Sequence, residues 1–249
     1  MSDDTTTSPA AGSAAISPVR GVVLQALALG LDPAWRRLPD AERAGDARSF
    51  AAALASGGSE GVATVPHSSV GLEPGVDLLL WSAAPDVDAL ERFAARLLRS
   101  GVGRWLTVRH SLLGQIAPSQ YVAKPTSQEV SLLVEDPSRY LVVYPFTKAT
   151  EWYLLAREAR QGVMNEHMRI GRDYPTVRQA LGYSFGLDDG DFLVAYGTDD
   201  LEVFGDLVRA LRGTESRRST VRDTPILLGV RRDAAEILEL LGAPAASPA

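Results

Sequence analysis

The alternation of apolar and polar positions divides the chain into two stretches of the same design. GVVLQALALGL at 21–31 is a continuous apolar run stopping at Asp32-Pro33, and its length predicts a buried strand. DPAWRRLPDAERAGDARSFAAALA predicts a helical segment opening near Asp32 with proline in an early turn. Thr64–Val70 and Asp77–Trp81 predict two strands joined by the turn GLEPG. From Val87 to Leu98 the residues Val87, Leu90, Phe93, Ala94, Leu97 and Leu98 return to one face at helical period. Trp105–Leu112 predicts a closing strand.

The second stretch repeats the first. YLVVYPFTKATEWYLLAREARQGVMNEH falls on VVLQALALGLDPAWRRLPDAERAGDARSF, with Trp152 on Trp35, and YSFGLDDGDFLVAYGTDDLEVFGDLVRAL falls on SSVGLEPGVDLLLWSAAPDVDALERFAARL. The period is about 115 residues, too long for a solenoid unit and right for a duplicated domain. Each copy reads strand, helix, strand, strand, helix, strand. That order predicts an α+β fold of tandem duplicated ferredoxin-like domains, a dimeric α+β barrel whose antiparallel sheets are covered by helices. The expected divisions are an arm at 1–18, an N-terminal domain at 19–115, a linker at 116–138, a C-terminal domain at 139–241 and a tail at 242–249. The copies differ in one respect. His167 falls on Phe50, Tyr144 on Leu27, Lys148 on Leu31 and Gln179 on Thr64, so the second copy is polar where the first is apolar. Unsatisfied polar groups on a buried face cost about 1–3 kcal/mol each, which points to a ligand in the second half.

Composition narrows the chemistry. The 249 residues are 45% apolar and 22% charged, without an apolar run near membrane-span length, which predicts a soluble globular protein with no membrane span. The net charge of −6, with neither sign gathered into a block, argues against a nucleic-acid partner and for a small molecule or protein. There are no cysteines, which removes disulfides, iron–sulfur clusters and thiolate-bound metals and leaves His, carboxylate or Tyr as metal ligands. Residues 1–18 are small and polar with no basic start or apolar core, and with the lack of cysteine they predict a disordered arm on a cytoplasmic protein. By residue type alone His167, on a helix face beside Val163 and Ile170, reads as a core histidine, and Tyr144 as a core aromatic of a strand. His67 and His110 read as structural or surface residues. GVGRW and GLDDG read as turns, because neither has the spacing of a phosphate-binding loop.

The motifs YPFTKATEWYLL, NEHMRIGRDYPTV, YSFGLDDGDFLVAYGTDD and LRGTESRRSTVRDTPILLG resemble the chlorite dismutase superfamily of haem proteins, and the similarity runs from about residue 20 to 232. The resemblance implies a ring assembly, usually a homopentamer, with haem in the C-terminal domain. His167 matches the proximal histidine that holds the iron, and Glu215 matches the carboxylate that orients it. Chlorite-decomposing members resemble one another in an arginine seven residues before the glycine of GLDD. Here that place holds Gln179, which has no fixed charge to retain an anion, and Arg178 beside it belongs to the other face of a strand.

Tyr144 resembles the tyrosine of the superfamily's coproheme decarboxylases, where chlorite dismutases have an aliphatic residue. That resemblance implies an oxidoreductase acting with hydrogen peroxide on coproheme III, at once substrate and redox cofactor, to give haem b. Tyr144 would carry the oxidising equivalent and Lys148 would hold or protonate near the reacting carboxylate. Ser119, Gln120, Tyr121 and Lys124 of the linker, with Arg212 and Arg217, are candidates for the remaining propionates. The alternatives are a chlorite dismutase or haem peroxidase, and a non-catalytic haem-binding protein.

Overall fold

The architecture was obtained as a computed structural model describing residues 21–119, 121 and 132–245. The arm at 1–18, Gln120, Lys124 and the tail from 246 lie outside the described residues. In the first half, β1 (Val23–Leu31) leads through a 3-10 turn at Pro33–Arg37 to α1 (Asp40–Ala55). β2 (Ala63–Glu73), β3 (Val76–Ala84), α2 (Val87–Arg99) and β4 (Leu106–Gln115) follow. The second half comprises β5 (Tyr140–Lys148), α3 (Thr150–Leu154), α4 (Arg157–Arg172), β6 (Arg178–Tyr183), β7 (Phe192–Thr198) and α5 (Leu201–Arg212). It continues through a 3-10 turn at Glu215–Ser219, β8 (Thr220–Arg222), β9 (Leu227–Arg231) and α6 (Ala234–Leu241).

The segment after Asp32 is broken in two where one helix was expected. Asp32 caps the short 3-10 turn through Ala34 N, and Pro39, which has no backbone N–H, restarts the chain into α1. Likewise α3 and α4 are separate pieces. On α2 the buried face is Ala89, Leu90, Phe93 and Leu97, while Val87, beside the cap Asp86, is 47% exposed.

The strands are antiparallel throughout and form one mixed α+β architecture around a single large sheet, in the order β7-β6-β4-β1-β3-β2-β9-β5-β8. A further β5–β7 pairing joins the ends, so eight strands close on themselves and β8 stays at the side. Within each half the order is the same: β4-β1-β3-β2 and β9-β5-β7-β6. The halves meet at two seams, β2 with β9 at His67 and Arg231, and β4 with β6 at Gln115 and Tyr183.

Period-two alternation sends one face of every barrel strand inward. The interior is filled by Leu24, Ala26, Ala28, Leu79, Trp81 and Ala83 from the first half and Leu141, Val143, Ala180, Leu193, Ala195 and Leu227 from the second. Trp81 donates its indole N–H to Leu132 O at 2.7 Å, which ties the inter-half segment into that core. At both seams the backbones come close because a side chain is missing. A Cβ on Gly182 would lie 2.8 Å from the Gly114 Cα, and one on Gly229 would lie 2.6 Å from the His67 Cβ.

The outward faces are covered unequally. Over the first half a dense layer joins Leu27, Leu29, Leu31, Trp35, Phe50 and Phe93. α6 crosses to that layer and buries Ile237, Leu238 and Leu241 in it, with Arg36 Nε bonding Leu241 O at 2.9 Å. Over the second half the buried apolar cluster is Val177, Val194, Tyr196 and Leu207, and α4 buries none of its residues. The copy-to-copy contrast in sequence is therefore a contrast in how well the helix layer is filled.

Two outcomes follow from the seams. Gly182→Ala drives a methyl group into the Gly114 backbone and is expected to cost about 1–3 kcal/mol, read as a lowered thermal midpoint, whereas Gly162→Ala, with open space around its Cβ, should not. His67 is 2% exposed and burial lowers its pKa to about 4. The unfolded chain takes up a proton near pH 6.5 that the folded chain refuses, so stability is full above pH 6.5 and falls as pH drops toward 4. The loss is on the order of 3 kcal/mol. Chemical denaturation across that range should show the slope in the parent and a smaller one in His67→Asn.

Candidate functional site

The under-filled layer encloses a cavity of about 140 Å³, partly open to solvent, between the outward face of β5 and β7, the underside of α4 and α5, and the 3-10 turn before β8. Strand alternation places Tyr144, Phe146 and Lys148 of β5 on this face, and the register Tyr144↔Val194 adds Val194 and Tyr196 of β7. From α4, Met164 and His167 meet the cleft from one helix face, three residues apart. Arg212, Arg217 and Asp223 close the other end.

His167 projects into this space from a helix with no buried residue. Burial, with Lys148 nearby, pulls its pKa down to about 4, against a weaker opposing pull from Glu166. The ring is therefore neutral at pH 7, as ligation of a metal requires. Its Nδ1 is buried with no hydrogen-bond partner among the described residues. A buried imidazole nitrogen without a partner is costly until an acceptor or a ligand completes the ring. The residues present thus fit an iron porphyrin: one neutral nitrogen donor, apolar walls from Phe146, Val194, Val208 and Leu211, and cations at the rim. Among the described residues no cluster of three or more His, Cys, Asp or Glu could hold a bare metal ion.

Lys148 is 9% exposed, and burial, then Arg217, lower its pKa to about 8. It donates to Ser216 O at 3.0 Å, Ser216 Oγ at 3.1 Å and Thr220 Oγ1 at 3.0 Å, and lies 4.8 Å from the ring centre of Trp152. Its first action is thus to clamp the turn at Glu215–Ser219 against β5. Asp223 Oδ2 accepts from Arg212 at 3.1 Å and Arg217 at 3.0 Å. One carboxylate oxygen serves two guanidinium groups, which leaves positive charge over for an anionic ligand.

The structure gathers Tyr144, Lys148, His167, Arg212 and Arg217 around one space. Gln179 is on the same sheet face, opposite Tyr196 in the β6–β7 register, but stands outside the cleft lining. Arg178 turns away, donating to Asp136 O and to Ser138 Oγ at 3.1 Å. Glu215 does not meet His167 here. Its carboxylate is half exposed and pairs with Arg218 at 3.3 Å, while its backbone N–H donates to Glu166 Oε2 at 3.1 Å, next to His167 in sequence. Ser119 Oγ accepts from Tyr121 N and Tyr121 O accepts from Gln161 on α4, and neither residue lines the cleft. His67 is structural, bonding Val65 O at a seam, and His110 is half-buried on β4. Tyr196 and Asp223 are site residues that pattern reading did not single out. The alternation in FLVAYG carries the first, since it puts Tyr196 on the face of Val194. The sequence holds no comparable signal for Asp223, whose place depends on a turn.

The family described as Chlorite dismutase matches residues 41–232. The chain is 31% identical over 166 residues, 66% of its length and 71% of the relative's, to the coproheme decarboxylase of Mycolicibacterium smegmatis. Chlorite dismutase from Candidatus Nitrospira defluvii, solved in complex with imidazole, superposes with a TM-score of 0.81 at 32% identity, covering 90% of this chain and 96% of that one. A variant of the same enzyme in complex with cyanide gives a TM-score of 0.81 at 30% identity, covering 90% and 95%.

Removing the Lys148 clamp should loosen one segment. Lys148→Met is expected to speed amide hydrogen exchange at 215–222 while the barrel strands keep their protection, because three acceptors lose a charged donor. Unchanged exchange there would show that the turn holds by itself.

Proposed function

The chain belongs to the chlorite dismutase family, and from that premise we propose that it is an oxidoreductase converting coproheme III to haem b at the cleft of its second half. The single observation that carries this reading is the gathering of a neutral imidazole, a partly buried phenol and surplus guanidinium charge around one partly open space. The curated relative that is a coproheme decarboxylase supports the choice of substrate.

In this reading His167 is the protein ligand to the iron. Glu215, tied through its backbone to Glu166, swings from Arg218 to accept from the imidazole Nδ1–H. When bound, the iron porphyrin supplies oxidation drawn from hydrogen peroxide. Tyr144 Oη gives up a proton and an electron and then takes a hydrogen from the propionate Cβ. Loss of carbon dioxide and a second electron leaves a vinyl group, so each propionic acid and one peroxide give one vinyl, one carbon dioxide and two waters. Arg212 and Arg217 hold carboxylates, and Lys148 keeps the turn at Glu215–Ser219 in place. Gln179 on the sheet face brings no fixed charge to retain chlorite or its products, which favours decarboxylation over the chlorite chemistry named for the solved relatives.

We read the two halves, with their matching strand orders, as tandem ferredoxin-like domains of 19–115 and 139–241 joined by 116–138. We further expect a homopentamer in the cytoplasm. Among the described residues no helix is long and apolar enough to cross a membrane.

The test is mass spectrometry of the porphyrin after titrating the coproheme-loaded protein with hydrogen peroxide. The reading expects loss of two carbon dioxide equivalents in the parent and retention of coproheme in Tyr144→Phe. Rapid oxygen release from chlorite, with no change in porphyrin mass under peroxide, would overturn it.

A further inference from the structure

The cleft wall carries a second phenol that the proposed reaction leaves unused. Tyr196 keeps 6% of its surface, and its ring is packed in the apolar layer with Val177, Val194 and Leu207, 5.3 Å from the ring of Phe204. That packing accounts for an aromatic body at this position, and a phenylalanine would satisfy it. It does not account for the hydroxyl, because a phenol sunk in an apolar layer is stable only when its O–H finds a partner.

The partner is fixed by strand register. Tyr144 of β5 lies opposite Val194 of β7, so Tyr196 is its diagonal neighbour on the same face. The two ring centres are 6.1 Å apart at a tilt of 31° and both rings line the cleft, which makes Tyr144 the neighbouring phenol for the Tyr196 hydroxyl. The first half shows what this register holds when no ligand is to be met. Leu27 pairs with Leu80 where Tyr144 pairs with Val194, and two residues on, Ser82 holds the place of Tyr196 and bonds Thr64 at 2.9 Å.

Resting on the reading of Tyr144 as the hydrogen-abstracting phenol, we propose that Tyr196 is its positioning residue, donating its O–H to Tyr144 Oη and thereby directing the Tyr144 proton into the cleft. Of two bonded phenols only one can donate to the other. The donor role of Tyr196 leaves Tyr144 as the group that parts with a proton first and receives a hydrogen bond in every state that follows. The charges around the pair agree with that polarity. Burial raises both phenols, a hydrogen bond from Tyr196 lowers the acceptor Tyr144 and raises the donor, and the remaining groups facing Tyr144 are Asp223, which raises it, and Arg212 and Arg217, which lower it.

The experiment uses porphyrin-free protein carrying tyrosine labelled with carbon-13 at Cζ, the Tyr144 resonance being assigned by its loss in Tyr144→Phe. In Tyr196→Phe the Tyr144 resonance should move and its ionisation midpoint should rise. With 3-fluorotyrosine at 196, a stronger donor of the same shape, the midpoint should fall. Tyr183→Phe should change neither. In the coproheme-loaded protein, Tyr196→Phe should slow kcat about fivefold with KM unchanged, the worth of one hydrogen bond. A Tyr144 resonance and midpoint indifferent to both replacements at 196 would overturn the proposal. Failure of the underlying reading would appear separately, as full decarboxylation by Tyr144→Phe.

Discussion

A sheet covered by helices is stable when the space between them is filled, and the second half of this protein does not fill it. Interiors pack as densely as molecular crystals, and atoms beside a void lose contacts without recompense. In the first half Leu27, Leu31, Trp35 and Phe50 meet the sheet and α6 arrives from the far end of the chain to complete the layer. In the second half the matching places hold Tyr144, Lys148, Trp152 and His167, α4 stands off with no buried residue, and open volume remains. The deficit is tolerable because the barrel interior, shared by both halves, supplies the packing that holds them together. A single closed sheet lets one outer layer be built for stability and the other be left for a ligand.

The same geometry sorts the chemistry by wall. The helical wall brings a nitrogen donor held neutral by burial, and the sheet wall brings two adjacent phenols. At the end where α5 runs out, two guanidinium groups share one carboxylate oxygen beside a lysine that has only neutral acceptors. Each group is unremarkable by residue type. They become a site because the alternation of β5 and β7, one face of α4 and the end of α5 converge on one unfilled space.

Much of this was legible in the chain. Short apolar runs and the turns between them marked the strands of the first half, and the repeat carried the same order into the second. The exchange of Phe50 for His167 and of Leu27 for Tyr144 across the repeat marks the half whose helix layer is less filled. Other features depended on contacts that pattern does not encode. Closure through β5–β7 and the crossing of α6 onto the opposite half join residues with no shared motif. Pro39 split a helix that reads as continuous. Glu215, whose backbone N–H meets Glu166 beside His167, turns its carboxylate to Arg218. Tyr196 was hidden because an aromatic in a strand needs no special explanation until its hydroxyl is traced.

The central claim is that the open layer exists for an iron porphyrin held by His167. The most direct measurement is the low-frequency resonance Raman spectrum of the ferrous porphyrin complex. The account predicts an iron–imidazole stretching band that disappears in His167→Ala and returns when free imidazole is added to that variant. A band that persists in His167→Ala, or a porphyrin that binds equally well with no imidazole–iron band in the parent, would contradict it.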